Sequence, residues 1–216
     1  MRGLMRMAVA MGGAVVVMGG LVGCEGADAG GKAKASAAPT AAPSAAAPGS
    51  GVKAAGSVGA DGSGCRLPVV FDLAEDWKPK TVARNDDERF ASLFEQGGLT
   101  LTCEIDAKPA GNIGFLRVWT ADKAKGNARQ VLEAFMAGEK PTGTPAYTEV
   151  PAGALQGVEA AYETTALDES KKEHAYAVVT PGGAAVVLQL GGLDTQEHDE
   201  MLPAYRLARQ SLKAAR

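Results

Sequence analysis

The chain has 216 residues, a formal net charge of −3 and three cysteines; 46% of its residues are hydrophobic and 22% charged. That balance suits a globular protein. No stretch gathers lysine and arginine on one face, so phosphate-backbone binding is excluded as a basis for function and nucleic acid is not an expected partner.

Arg2 and Arg6 lie near the amino terminus, and residues 7–20 carry no charge. A positive start followed by a short apolar run reads as a signal peptide. A membrane span needs ~20 apolar residues, and this run is shorter and rich in Gly and Ala. It ends Leu21-Val22-Gly23-Cys24, which resembles the lipobox of bacterial lipoproteins. The resemblance implies that residues 1–23 are a removed leader. It implies that the Cys24 sulfur carries a diacylglycerol, and that Cys24 becomes the first residue of a protein anchored on the outer, extracytoplasmic face of the cell membrane. Two acyl chains make a lasting anchor where one makes a reversible one. Losing Arg2 and Arg6 takes the formal charge from −3 to −5.

From residue 25 to 64 the chain is mostly Ala, Gly, Ser and Pro, with no aromatic residue. Such a stretch buries too little apolar area to offset the entropy of ordering it. Residues 24–64 therefore read as the lipidated cysteine and a flexible linker, with a root-mean-square span of roughly 35 Å. Pro39, Pro43 and Pro48 argue against an Ala-rich helix. Residues 65–216 have the length of one domain. They hold both tryptophans, all four tyrosines and all five phenylalanines.

Within that domain, "RLPVVFDL" (66–73) reads as a strand, and "AEDWKPK" as a turn in which Pro79 interrupts any strand. "NDDERFASLFEQGG" (85–98) places Phe90, Leu93 and Phe94 at helical spacing and predicts a short helix ended by glycines. "LTLTCEID" (99–106) alternates strictly and predicts a half-buried strand with Cys103 on its apolar face. "IGFLRVWT" (113–120) follows a turn, so the two predict a hairpin. An exported protein meets an oxidising compartment, where Cys65 and Cys103 are expected to pair. A loop of that length is stabilised by ~4 kcal/mol on chain-entropy grounds. If strands 66–73 and 99–106 are neighbours, the bridge ties the start of the domain to its sheet. Two cysteines then pair and the third carries lipid.

"NARQVLEAFMAG" (127–138) puts Val131, Leu132, Phe135 and Met136 on one face, with Asn127 to cap the start and Gly138 the end. "PAYTEV" (145–150), "GVEAAYETTAL" (157–167), "EHAYAVVT" (173–180) and "AAVVLQLGG" (184–192) predict four more strands, the last two joined by the turn Pro181-Gly182-Gly183. Asp194 and Glu197 have capping-box spacing. Met201, Tyr205, Ala208 and Leu212 then share one face of a terminal helix, which Pro203 kinks unless it marks the first turn. Strands outnumber helices and are joined as antiparallel neighbours, which predicts an α+β fold, an antiparallel sheet covered by helices. This order of elements, with Phe71 and Trp77 around the first turn, resembles the PsbP/Mog1-like fold, which small actinobacterial lipoproteins of the LpqN type share. The resemblance runs from about Leu67 to Leu212. It implies a binding or accessory protein, supplies no catalytic residue, and does not include the Cys65–Cys103 pair.

The residues offer little chemistry. There is no nucleophile elbow, P-loop or dinucleotide fingerprint, and no cofactor is expected. His198 sits among Glu197, Asp199 and Glu200, but adjacent helix positions diverge, and acids in a first turn answer the helix dipole. A solvated face is expected there, not a metal site. Glu159 and Glu163 read as a polar strand face. Arg117 and Trp119 are the candidate ligand contacts. Strict alternation puts them on one face with Ile113 and Phe115, where the guanidinium can stack on the indole or bind an anion. The competing arrangement has Leu116 and Val118 in the core, and Arg117 and Trp119 on the far face under a helix. The function expected is a non-enzymatic, membrane-anchored module that binds an envelope component or a partner protein. The alternatives are a carrier of a small apolar or anionic ligand, and a hydrolase built from scattered residues.

Overall fold

The computed structural model describes residues 51–83, 90, 93–166 and 168–216. The expected leader, Cys24 and most of the expected linker lie outside these residues. The strands are β1 (Ala54–Val58), β2 (Val69–Ala74), β3 (Lys78–Thr81), β4 (Glu95–Gln96), β5 (Leu99–Asp106), β6 (Gly114–Ala121), β7 (Ala146–Glu149), β8 (Gly157–Ala166), β9 (Glu169–Val179), β10 (Ala185–Gly192) and β11 (Lys213–Ala214). The helices are α1 (Ala128–Glu139) and α2 (Thr195–Ser211). The large sheet runs β3-β5-β6-β10-β9-β8-β7, with β4 also paired to β5; the small sheet runs β1-β2-β11. Every pairing between these strands is antiparallel.

The fold is α+β, as the element pattern predicts. Three layers follow from the two faces of the large sheet. On one face Ile105, Leu116, Val118, Val186 and Leu188 pack against β2 and against Met201, Tyr205 and Ala208 of α2. On the other, Trp119, Val158, Ala160, Ala175 and Val187 pack under Val131, Leu132, Phe135 and Met136 of α1. Alternation along β6 therefore sends Leu116 and Val118 into one core and Trp119 into the other. Asn127 caps α1 through a complete capping box with Gln130.

Several expectations change. The ordered fold begins before Cys65: β1 lies inside the Ala/Gly-rich stretch, held by its ladder to β2 rather than by propensity of its own. Lys78–Thr81 is a strand despite Pro79, because β3 is an edge strand and Pro79 lacks only a donor. Residues 84–89, 91 and 92 of the expected helix over 85–98 lie outside the described residues. Its end is no helix: Glu95–Gln96 pair with Leu99–Thr100, and Gly97-Gly98, both at positive φ, form the hairpin turn. Gly138 does not end α1, which stops one residue later with Lys140 left-handed.

Cys65 and Cys103 are disulfide-bonded, their Cα atoms 6.0 Å apart. Their strands are not neighbours. Cys65 precedes β2 of the small sheet and Cys103 lies on β5 of the large one, so the bridge fastens the two sheets across the core. At the far end, Asp194 caps α2 by accepting from the Glu197 N–H. Glu197 does not return the bond; its carboxylate accepts from the Ile113 N–H at 2.9 Å. The helix continues through Pro203.

Candidate functional site

Helix α1 covers only part of its face of the large sheet. Beside it lies an open groove of about 720 Å³, running along β6 and β10. Its floor is the row Phe115, Arg117 and Trp119 with Gln189 and Gly191. Leu93 and Phe94 line one end and Ile113 and Leu193 the other. Leu93 is 62% exposed, Ile113 54% and Leu193 57%. Ile113 and Leu193 are held together where β6 and β10 begin and end, the Leu193 N–H donating to the Ile113 carbonyl at 2.9 Å.

Arg117 and Trp119 share this face, and they do different things. The Arg117 Nε donates to Glu104 Oε1 at 2.9 Å, and its guanidinium carbon lies 5.4 Å from the Phe115 ring centroid. It pairs across the strands with an anion of its own chain. Trp119 is buried under α1, edge-on to Phe135 with ring centroids 5.5 Å apart. Its Nε1–H donates to Gln189 Oε1 at 3.1 Å.

A polar network joins the groove to the end of α1. The Gln189 amide donates to Glu139 Oε2 at 2.8 Å, and the Gln96 amide donates to the other Glu139 oxygen. Gly138 leaves the gap through which Gln96 reaches it: a Cβ there would lie 2.8 Å from the Gln96 Cγ. The Tyr162 hydroxyl oxygen lies 2.9 Å from Glu139 Oε2 and 3.1 Å from Glu173 Oε2. Glu173 is buried, pairs with Lys171 Nζ at 2.9 Å and accepts from Thr164 Oγ1 at 3.1 Å. Burial raises the Glu139 pKa against the lowering effect of its hydrogen bonds from Gln96 and Tyr162. Burial, and then the two neighbouring carboxylates, hold the Tyr162 hydroxyl well above its ordinary range.

The histidines lie on the other face, and there the expected solvated turn is wrong. His198 is fully buried. Its Nε2 is 2.9 Å from His174 Nδ1, and its Nδ1 is 3.1 Å from Asp199 Oδ1. The first turn of α2 lies against β9, so position 198 joins the buried stripe 201, 205 and 208. Glu159 is no bare polar face either; it accepts from the buried Tyr205 hydroxyl at 2.8 Å. Among the described residues, no group of three or more His, Cys, Asp or Glu side chains is placed to hold a metal ion. Among the same residues, neither histidine hydrogen-bonds a serine or a cysteine.

The sequence pattern of a family described as "Uncharacterised lipoprotein" matches residues 34–212. The chain belongs to that lipoprotein family. No curated protein matches it. The solution structure of cyanobacterial PsbP (CyanoP) from Synechocystis superposes with a TM-score of 0.50 at 13% identity, covering 81% of this chain and all of that one. A crystal structure of LpqN, involved in cell envelope biogenesis of Mycobacterium tuberculosis, gives 0.45 at 13% identity over 68% of this chain and 83% of its own. The chain thus has the PsbP-like fold that its element order resembles.

Proposed function

We propose that this lipoprotein is a non-enzymatic binding module, held on the extracytoplasmic face of the membrane by lipid on Cys24, and that its groove receives an envelope component or partner protein. The observation that carries the binding reading is the sheet face that, among the described residues, is covered only in part. A soluble domain has little reason to leave Leu93, Ile113 and Leu193 exposed around one concavity unless something covers them. The anchor rests on the lipobox pattern at residues 21–24 and on membership of a lipoprotein family.

Two experiments test the two halves. Metabolic labelling with a radioactive fatty acid is expected to mark the wild type and not Cys24→Ala, which leaves the membrane fraction; a labelled, membrane-bound mutant refutes the anchor. Native mass spectrometry of the protein from an exporting host tests the pocket. A second reading, carriage of a small molecule, draws on the groove volume, which lies in the range of small-ligand sites. A co-purifying small molecule lost on blocking the groove supports that reading, and a clean mass favours a macromolecular partner.

A further inference from the structure

The charges facing the groove do not balance. Arg117 is paired with Glu104 and Lys171 with Glu173. Glu139, among the described residues, is left without an ion-pair partner. Among the described residues, no lysine, arginine or histidine lies within 4 Å of its carboxylate. Its hydrogen-bond donors are the neutral groups of Gln96, Gln189 and Tyr162. Even these are short by one proton, because the single Tyr162 hydroxyl hydrogen faces two carboxylate oxygens and can go to only one. A half-buried carboxylate without a close counter-charge is costly; burial raises its pKa, although Arg117 pulls it down from a distance.

The apolar parts have an equally definite layout. They stand at both ends of the groove, with the excess carboxylate between them near Gln189, which lies opposite Arg117 in register. From Ile113 to Trp119 the strand rises roughly 20 Å, the length of about six extended residues. A lipid has one polar head and one apolar tail. An apolar–cation–apolar order is what an extended peptide segment supplies. Gly191 fits the same picture. It projects no side chain onto the floor, and a Cβ built there meets only Glu173 Oε2, at 3.9 Å. The bare backbone lets another chain come close.

We propose that the groove binds an extended segment of a partner protein that carries a lysine or arginine flanked on both sides by large apolar residues. The cation pairs with Glu139, and the apolar flanks cover Leu93 and Phe94 at one end and Ile113 and Leu193 at the other. This deepens the binding-module reading and rests on it.

The test uses the chain from residue 24 onward with Cys24→Ser, exported so that Cys65–Cys103 forms, and a phage-displayed library of random heptapeptides. Gly191→Leu is the counter-selection: its Cβ meets nothing nearer than Glu173 Oε2 at 3.9 Å, it adds a side chain to the bare floor, and its melting temperature is measured alongside. Enrichment of a basic residue between apolar ones is expected on the wild type and not on Gly191→Leu. For the best peptide, made synthetically, changing its basic residue to glutamine is expected to weaken binding at least tenfold, and Glu139→Gln is expected to do the same. Enriched peptides without a basic residue, or binding indifferent to Glu139→Gln, overturn the cation assignment while leaving the groove a binding site. No enrichment over Gly191→Leu overturns the peptide proposal altogether. The binding-module reading is then judged separately by native mass spectrometry: a bound lipid or other molecule that Gly191→Leu removes makes the groove a small-molecule site, and a clean mass leaves a macromolecular partner that is not an extended peptide.

Discussion

His174 on β9 and His198 on α2 stack with their ring planes 16° apart and share one hydrogen bond, Nδ1 to Nε2 at 2.9 Å. Asp199 fixes its direction. The His198 Nδ1–H donates to that carboxylate, so Nε2 is left as acceptor and His174 Nδ1 must be the donor. A proton added to His198 Nε2 would point at another N–H. A proton added to His174 meets the positive side chains of Arg206 and Arg209.

Acid is therefore expected to loosen α2. Burial lowers His174 to about 4, helped by His198, Arg206 and Arg209 and opposed by Asp199. Burial also lowers His198, against Asp199 and Glu173, with Lys172 adding to the lowering. The uncharged Tyr205 ring closes the remaining side of His174. The unfolded chain takes up these protons near 6.5, and the folded chain resists until about 4. Stability from the pair is full above pH 6.5 and is lost as pH falls toward 4. Thermal melts at half-unit steps across that window are expected to show a fall on the order of 5 °C. His174→Asn keeps a donor for His198 and removes one titrating ring, so its melting temperature should depend less steeply on pH. An equal slope in the variant would assign the effect elsewhere.

The disulfide acts on a different part of the energy. It closes a 38-residue separation between two sheets, and the chain-entropy argument gives about 4 kcal/mol. The double variant Cys65→Ala/Cys103→Ala is expected to melt about 10 °C lower while keeping its circular dichroism spectrum. A drop under about 2 °C would mean that the small sheet is held by β2 packing on α2 alone.

What could be read from the residues follows from the range of the interactions. α1 carries its cap and its stripe in twelve residues and is legible locally. β5 alternates in sequence, but a bulge between Leu101 and Cys103 sends Leu99 and Leu101 to the α1 side and Cys103 and Ile105 to the α2 side, which alternation alone does not announce. His198 was legible too: 198, 201, 205 and 208 are one helical stripe, and the four charged or polar neighbours obscured it. β1 was not legible, since "AAGSV" has neither periodicity nor β-branched density and takes its conformation from β2. The same holds for the candidate site. Alternation places Arg117 and Trp119 together, but Gln96, Glu139, Tyr162, Glu173 and Gln189 come from five separate elements. No spacing announces that they meet.

That network makes its own prediction. Gln189 is buried and serves three partners, accepting from Trp119 Nε1 and donating to Glu139 Oε2 and, at 3.4 Å, to the Tyr162 hydroxyl. Gln189→Met conserves volume and removes all three bonds. It leaves a buried indole N–H unpaired and Glu139 with one donor fewer, for a loss of about 2–3 kcal/mol. Urea unfolding should show a lower midpoint at unchanged slope. Trp119→Phe in the Gln189→Met background should then cost less than it does in the wild type, because the orphaned donor leaves with the indole.

The two turn glycines offer a sharper contrast, since they are adjacent and both left-handed. Gly97 has φ +59° and Gly98 φ +79°. An alanine at either position bears the left-handed strain of about 1–2 kcal/mol. At Gly98 nothing else is added, because the nearest neighbour of a new Cβ is the flexible Lys125 Nζ at 3.6 Å. At Gly97 the Cβ would fall 2.6 Å from the Phe135 backbone nitrogen, and neither the hairpin nor α1 can yield without opening the core around Trp119 and Phe135. Gly97→Ala is therefore expected to destabilise by at least about 2 kcal/mol more than Gly98→Ala, overpacking being added to strain. Because the β4–β5 turn fixes Gln96 and Phe94 at one end of the groove, Gly97→Ala should also weaken whatever binds there, and Gly98→Ala should leave it intact. Equal melting temperatures for the two variants would show that the turn does not press on α1, and would remove the hairpin as the support for that end of the groove.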